Sequence, residues 1–189
     1  MLKALVSVSF GAAVICALAT PLAAADELET KLQTCNACHG QNGQPLDKSI
    51  PIIWGQTTAY LVKQLHDYRS EDRANPVMSP LAATIKPEEW RKAAAYFTAK
   101  AWPAKQAAPG PAPAAPPEQK IAVCRVCHQP NFEGGLPAPR LAGQSYEYLV
   151  GAMRSFAEDQ RTNSQDMATL MKMLSAEERD AIAKYLAAL

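Results

Sequence analysis

The chain has 189 residues, 48% of them hydrophobic, and a formal net charge of only +1. That composition is globular, and the absence of any Lys/Arg stripe excludes nucleic acid and an anionic lipid surface as electrostatic partners. The first 25 residues carry one charge, Lys3, then an apolar run, Pro21 and an Ala23-Ala24-Ala25 site before Asp26. They read as a secretory signal peptide, residues 1–25, with export to the periplasm as its consequence. Of five cysteines, Cys16 lies in that leader and the other four fall into two motifs, so no disulfide is expected.

Residues 26–38 have Leu28, Leu32 and Cys35 on one helical face, with Asp26 placed to cap the helix. The helix delivers Cys35-Asn36-Ala37-Cys38-His39 at its C-terminal end. Residues at i, i+3 and i+4 share a face, so two thiols and an imidazole meet one flat group together, which is what the covalent attachment of a c-type haem requires. A Gly- and Pro-rich loop follows and ends in Trp54-Gly55-Gln56. Residues 57–70 form an amphipathic helix with Tyr60, Leu61, Leu65 and Tyr68 inward. Residues 73–85 are expected to be irregular, with Pro76 and Pro80 flanking Met78; Pro87 then opens a helix that buries Trp90, Ala94 and Phe97.

Residues 103–117 contain six prolines and read as a semi-rigid linker. After it the same order of elements returns. Residues 118–127 form the motif helix carrying Cys124-Arg125-Val126-Cys127-His128, and the loop ends in Leu141-Ala142-Gly143-Gln144. An amphipathic helix covers residues 145–159, and a Ser175/Glu178 capping box opens a last helix with Ile182, Tyr185 and Leu186 inward. The chain is therefore an internal duplication: residues 26–102 form one domain, residues 118–189 the other, each small enough to need a cofactor to complete its core. A four-thiolate zinc site is disfavoured by the long interval from Cys38 to Cys124 and by the His after each Cys pair.

Met78 lies 39 residues after His39, and Met167 lies 39 residues after His128. The repeated spacing selects these two as second axial ligands; Met153, Met171 and Met173 are assigned to the core. His66, the one histidine outside the motifs, is expected to face solvent.

Taken together, the two C-x-x-C-H motifs, Pro51-x-x-x-Gly55-Gln56 with Pro139-x-x-x-Gly143-Gln144, the Tyr-Leu pairs opening each middle helix, Arg69-x-x-x-Arg73, and Met78 with Met167 resemble the cytochrome c4 family. The resemblance implies an all-α architecture of two tandem cytochrome c-like domains with two covalently bound haem c groups. It implies Cys35 and Cys38 with ligands His39 and Met78 for one haem, and Cys124 and Cys127 with His128 and Met167 for the other. It also implies that the Pro51 and Pro139 carbonyls accept the Nδ1–H of the two histidines. Ile53-Trp54 in the first loop and Gln129-Pro130 after His128 depart from the pattern. The function implied is a periplasmic electron carrier, not an enzyme, serving redox proteins such as a membrane quinol-oxidising complex and a terminal oxidase or reductase. Any membrane association is expected to be peripheral. The alternative is the dihaem subunit of an oxidoreductase such as a flavocytochrome c sulfide dehydrogenase.

Overall fold

The computed structural model describes residues 22–103 and 113–189, with side chains from residue 27 onward. The signal-peptide reading falls almost wholly outside the described residues, as does most of the linker. Among the described residues the chain is all helical: α1 (Leu22–His39), α2 (Thr58–Arg69), α3 (Met78–Ala83) and α4 (Trp90–Thr98), then α5 (Glu118–His128), α6 (Tyr146–Ala157), α7 (Gln165–Lys172) and α8 (Ala176–Ala188). A 3₁₀ turn, Pro87–Glu89, leads into α4. No helix among them is long and apolar enough to cross a membrane.

In each half the middle helix is the hub. α2 packs on α3 and α4, as α6 packs on α7 and α8. The first core gathers Leu28 and Leu32 of α1, Leu61 of α2, Ile85, and Ala93, Ala94 and Phe97 of α4. The second gathers Ile121 of α5, Leu149, Met153 and Phe156 of α6, Met171 of α7, and Ile182, Ala183 and Leu186 of α8. Each fully buried Leu, Ile or Phe in these sets contributes roughly 1.5–3 kcal/mol. The capping box at Ser175 forms as its residues require: the Ser175 hydroxyl accepts from Glu178 N–H and the Glu178 carboxylate accepts from Ser175 N–H.

Three local expectations are corrected. α1 begins at Leu22, so Asp26 lies inside the helix and does not cap it; Leu-Ala-Ala-Ala after Pro21 is a strong helix-forming run that extends the element backward. Residues 73–85 are not wholly irregular, because Met78–Ala83 forms a short helix. Pro80 occupies its third position, where a missing N–H breaks no helical bond, so the proline is tolerated. Met173 is not a core residue: it is 74% exposed, and Leu174 packs against the second core instead.

The two motif helices end differently. Gly40, after His39, has φ +96°, and a Cβ there would come within 2.0 Å of the Gln44 carbonyl oxygen. At the matching position, Gln129 is held at φ 70° and ψ 162°, a region that residues other than glycine rarely enter. Strain of about 1–3 kcal/mol at Gln129 outweighs the roughly 0.5–1 kcal/mol entropic penalty of glycine. Gln129→Gly is therefore expected to stabilise the protein by about 1 kcal/mol, read as a higher midpoint in denaturant with an unchanged slope.

The halves meet through paired contacts between matching residues. Arg73 of the first donates to the Tyr148 hydroxyl of the second at 3.2 Å, and Arg161 of the second donates to the Tyr60 hydroxyl of the first at 3.3 Å. Tyr148 and Arg161 each lie 88 residues after Tyr60 and Arg73, so the contact is made twice by a pseudo-twofold relation. Asn163 adds bonds to Gln64 and to the buried Asp67, and Lys63 donates to the Asn163 carbonyl. Trp102 packs against Gly143 of the second half, with the Arg140 guanidinium 4.5 Å from its ring centroid.

Candidate functional site: two adjoining haem cavities

Each half encloses a mainly apolar cavity, about 950 Å³ in the first and 1280 Å³ in the second. Cys35, His39 and Met78 line the first; Cys124, Cys127, His128 and Met167 line the second. Cys38 is half-buried and is not part of the first lining. Helical spacing accounts for the common face of thiols and imidazole.

His39 Nδ1 lies 2.8 Å from the Pro51 carbonyl oxygen, and His128 Nδ1 lies 2.8 Å from that of Pro139. With Nδ1 donating, Nε2 on the opposite side of each ring carries the free lone pair, the form in which imidazole binds a metal. Burial pushes both imidazoles below their ordinary pKa, against the support of the proline carbonyls, and so favours that neutral form. Burial likewise pushes the Cys35 and Cys124 thiols up.

Both methionines stand in the first turn of short helices, not in loops as the sequence implied. Asn75 Oδ1 accepts from Met78 N–H at 2.8 Å, and Ser164 Oγ accepts from Met167 N–H at 3.4 Å. Each Met backbone is thus fixed by a polar side chain three residues earlier, with its thioether in the cavity lining. Met153 and Met171 are buried, at 6% and 3% exposure, in the second core. His66 is exposed, edge-on to Trp90 at 5.7 Å and beside Asp67, and it lines neither cavity.

Five residues, Tyr60, Gln64, Pro139, Leu141 and Tyr148, line both cavities, so the two sites share a wall. The guanidiniums at that wall have no carboxylate partner among the described residues. Arg73 donates to Gln64 and Tyr148, and Arg161 donates to Asn163, Tyr60 and Gln64. Burial opposes ionisation of the Tyr148 phenol, yet Arg73 and Arg161 pull its pKa down to about 7. A half-buried and a buried cation facing two cavities form a field that wants negative charge. The flat apolar cavities, paired thiols, free imidazole nitrogens and uncompensated cations together fit a haem with its ring carboxylates.

The recurrence of Tyr60 with Tyr148, of Arg73 with Arg161 and of Gln56 with Gln144 was the sequence signal for this shared wall. Only Arg73, Gln56, Gln144 and the Tyr pair were singled out from sequence, and none was assigned to an interface.

The family model for cytochrome c matches residues 118–189. The thiosulfate dehydrogenase electron acceptor of Stutzerimonas stutzeri (strain A1501) is 34% identical over 169 residues, covering 81% of this chain and 77% of that protein. Cytochrome c4 of Azotobacter vinelandii is 30% identical over 177 residues, covering 82% and 84% respectively. The solved structure of Acidithiobacillus ferrooxidans cytochrome c4 superposes with a TM-score of 0.73 at 27% identity, covering 83% of this chain and 99% of that one. With its two-domain, all-helical fold and two covalently bound haem c groups, this electron-transfer protein belongs to the cytochrome c4 family.

Proposed function

We propose that the chain is a periplasmic carrier of single electrons. In this reading residues 1–25 are a signal peptide removed on export, residues 26–102 and 118–189 are the haem domains, and residues 103–117 link them. Cys35 and Cys38 hold one haem covalently with His39 and Met78 as its iron ligands; Cys124 and Cys127 hold the other with His128 and Met167. The presence in each cavity of one cysteine-motif histidine and one methionine, matched between the halves, carries this reading.

When bound, each haem supplies reversible one-electron exchange at iron. The chain does the rest. His and Met at the two axial positions leave no place at iron for a substrate and raise the reduction potential, which suits electron transfer through the haem edge. The apolar walls exclude water, while Arg73 and Arg161 are placed to compensate buried negative charge. The shared wall brings the two sites together, so an electron accepted by one domain has a short route to the other.

The partners in this reading are a membrane quinol-oxidising complex as donor and a terminal oxidase or reductase as acceptor, met peripherally at the membrane. Membrane vesicles supplied with quinol should reduce the purified protein, an added oxidase should reoxidise it, and the protein alone should turn over no small substrate. A second reading is the electron-accepting partner of an oxidoreductase, favoured by the 34% identity to the thiosulfate dehydrogenase electron acceptor. Co-purification with a stoichiometric dehydrogenase, with reduction by that enzyme plus thiosulfate and none by quinol-supplied vesicles, would replace the first reading with the second.

A further inference from the structure

The peptide unit that orients each histidine is itself held by the other half of the molecule. The Pro51 carbonyl that accepts from His39 belongs to the same peptide as Ile52 N–H, and that N–H donates to Gln144 Oε1 at 2.9 Å. Gln144 Nε2 returns a bond to the Ile52 carbonyl at 3.0 Å. In the second half, the Pro139 carbonyl accepts from His128, and Arg140 N–H of the same peptide donates to Gln56 Oε1 at 2.7 Å. Gln56 Nε2 donates to the Arg140 carbonyl at 3.0 Å. Both carboxamides are buried, at 2% and 3% exposure. Each is anchored at home by accepting from the next residue's N–H, Thr57 or Ser145, at 2.9 Å.

Two continuous chains result, each crossing the interface: imidazole N–H to peptide C=O, then N–H of that peptide to the opposite carboxamide. A peptide whose N–H is donating has a more polarised carbonyl, since hydrogen bonds in series strengthen one another. A stronger acceptor at Nδ1–H makes the imidazole a more basic ligand. A more electron-donating ligand favours ferric over ferrous iron.

We propose that Gln144 and Gln56 are positioning residues acting across the interface, with Gln144 tuning the His39 haem and Gln56 tuning the His128 haem. The inference rests on the reading that His39 and His128 are axial ligands. Domain docking thereby sets each potential through the ligand's hydrogen bond, independently of repulsion between the two irons.

The test uses the full-length dihaem protein with Gln144→Met and Gln56→Met, which keep side-chain length and remove the carboxamide. At a fixed ambient potential, Gln144→Met should lower the oxidised-to-reduced ratio of the His39 haem about three-fold, the size expected for part of one hydrogen bond, and leave the His128 haem unchanged. Gln56→Met should do the converse. In the NMR spectrum of Gln144→Met, the His39 Nδ1–H should move upfield and exchange faster with solvent. Gln144→Asn, which keeps an amide one methylene too short, covers failure of the Met variant to fold. Equal shifts at both haems, a shift confined to the haem of the mutated half, or no shift would overturn the proposal. Failure of the ligand reading looks different: in the ferric protein the His39 Nδ1–H would lack a hyperfine shift whichever residue stands at 144.

Discussion

A chain carrying Cys124→Ala, Cys127→Ala and His128→Ala should mature with one haem, and its second half should lose its fixed packing. The reason is that cavity and core are the same place. Leu149, Met153, Phe156, Ile182 and Leu186 belong to the second core and also line its cavity of about 1280 Å³. Empty core volume costs roughly 24 cal/mol per Å³, so a void of even a quarter of that volume would cost about 8 kcal/mol. A whole domain has about 5–15 kcal/mol of stability, and one this small lies at the low end. Removing His128 as well prevents a non-covalent haem from being retained through an axial pair. Near-UV circular dichroism from the second half should vanish, far-UV helicity should fall only partly, and a dye that binds exposed apolar surface should fluoresce. The first half should keep its haem, although it loses the bonds from Arg73 to Tyr148 and from Gln56 to Arg140. Native near-UV signal in the triple variant would show that this core closes without the cofactor.

The parts that the sequence made legible are those with strong local signals. The motif helices, the middle helices and the last helices have a 3.6-residue period and clear ends, and the observed α2 and α6 differ from the expected spans by only one or two residues. The short helices α3 and α7 were less visible. Two prolines around Met78 argue for a loop unless one notes that Pro80 falls in a first turn, and α7 is too short to establish a period. Ser164, which caps α7 through Met167 N–H, was a signal left unread. Met173 was assigned inward because methionine commonly fills cores, but the one-residue advance to Leu174 at the end of α7 turns it to solvent. The interface was hidden for a different reason. A duplication tells which residues match, not whether they face their own core or each other, and Arg161 was never aligned with Arg73 because the gap between the repeats falls just after it. Ion-pair logic would have helped: an arginine recurring beside a tyrosine-bearing helix, with no acid at matching spacing, is a cation waiting for an anionic ligand.

Met78→Ala and Met167→Ala should each open one iron and no more. Both thioethers belong to the lining of the cavity that holds the matching histidine, and both backbones are fixed at a helix start by Asn75 and Ser164. Loss of the sulfur ligand should remove the far-red sulfur-to-iron band of one ferric haem and let that iron bind one equivalent of cyanide, or of carbon monoxide when reduced. The potential of that haem should drop by on the order of 0.1 V, because thioether ligation favours ferrous iron. The double variant should bind two equivalents. Met171→Ala is the discriminating control, since Met171 is 3% exposed, belongs to the second core and also lines the second cavity. As a core residue it should cost about 2–5 kcal/mol of stability on truncation while the sulfur-to-iron band persists at both haems. If Met171→Ala abolishes the band and Met167→Ala does not, the register of the repeat is off by one helical turn in α7, and the axial ligand of the second iron is Met171.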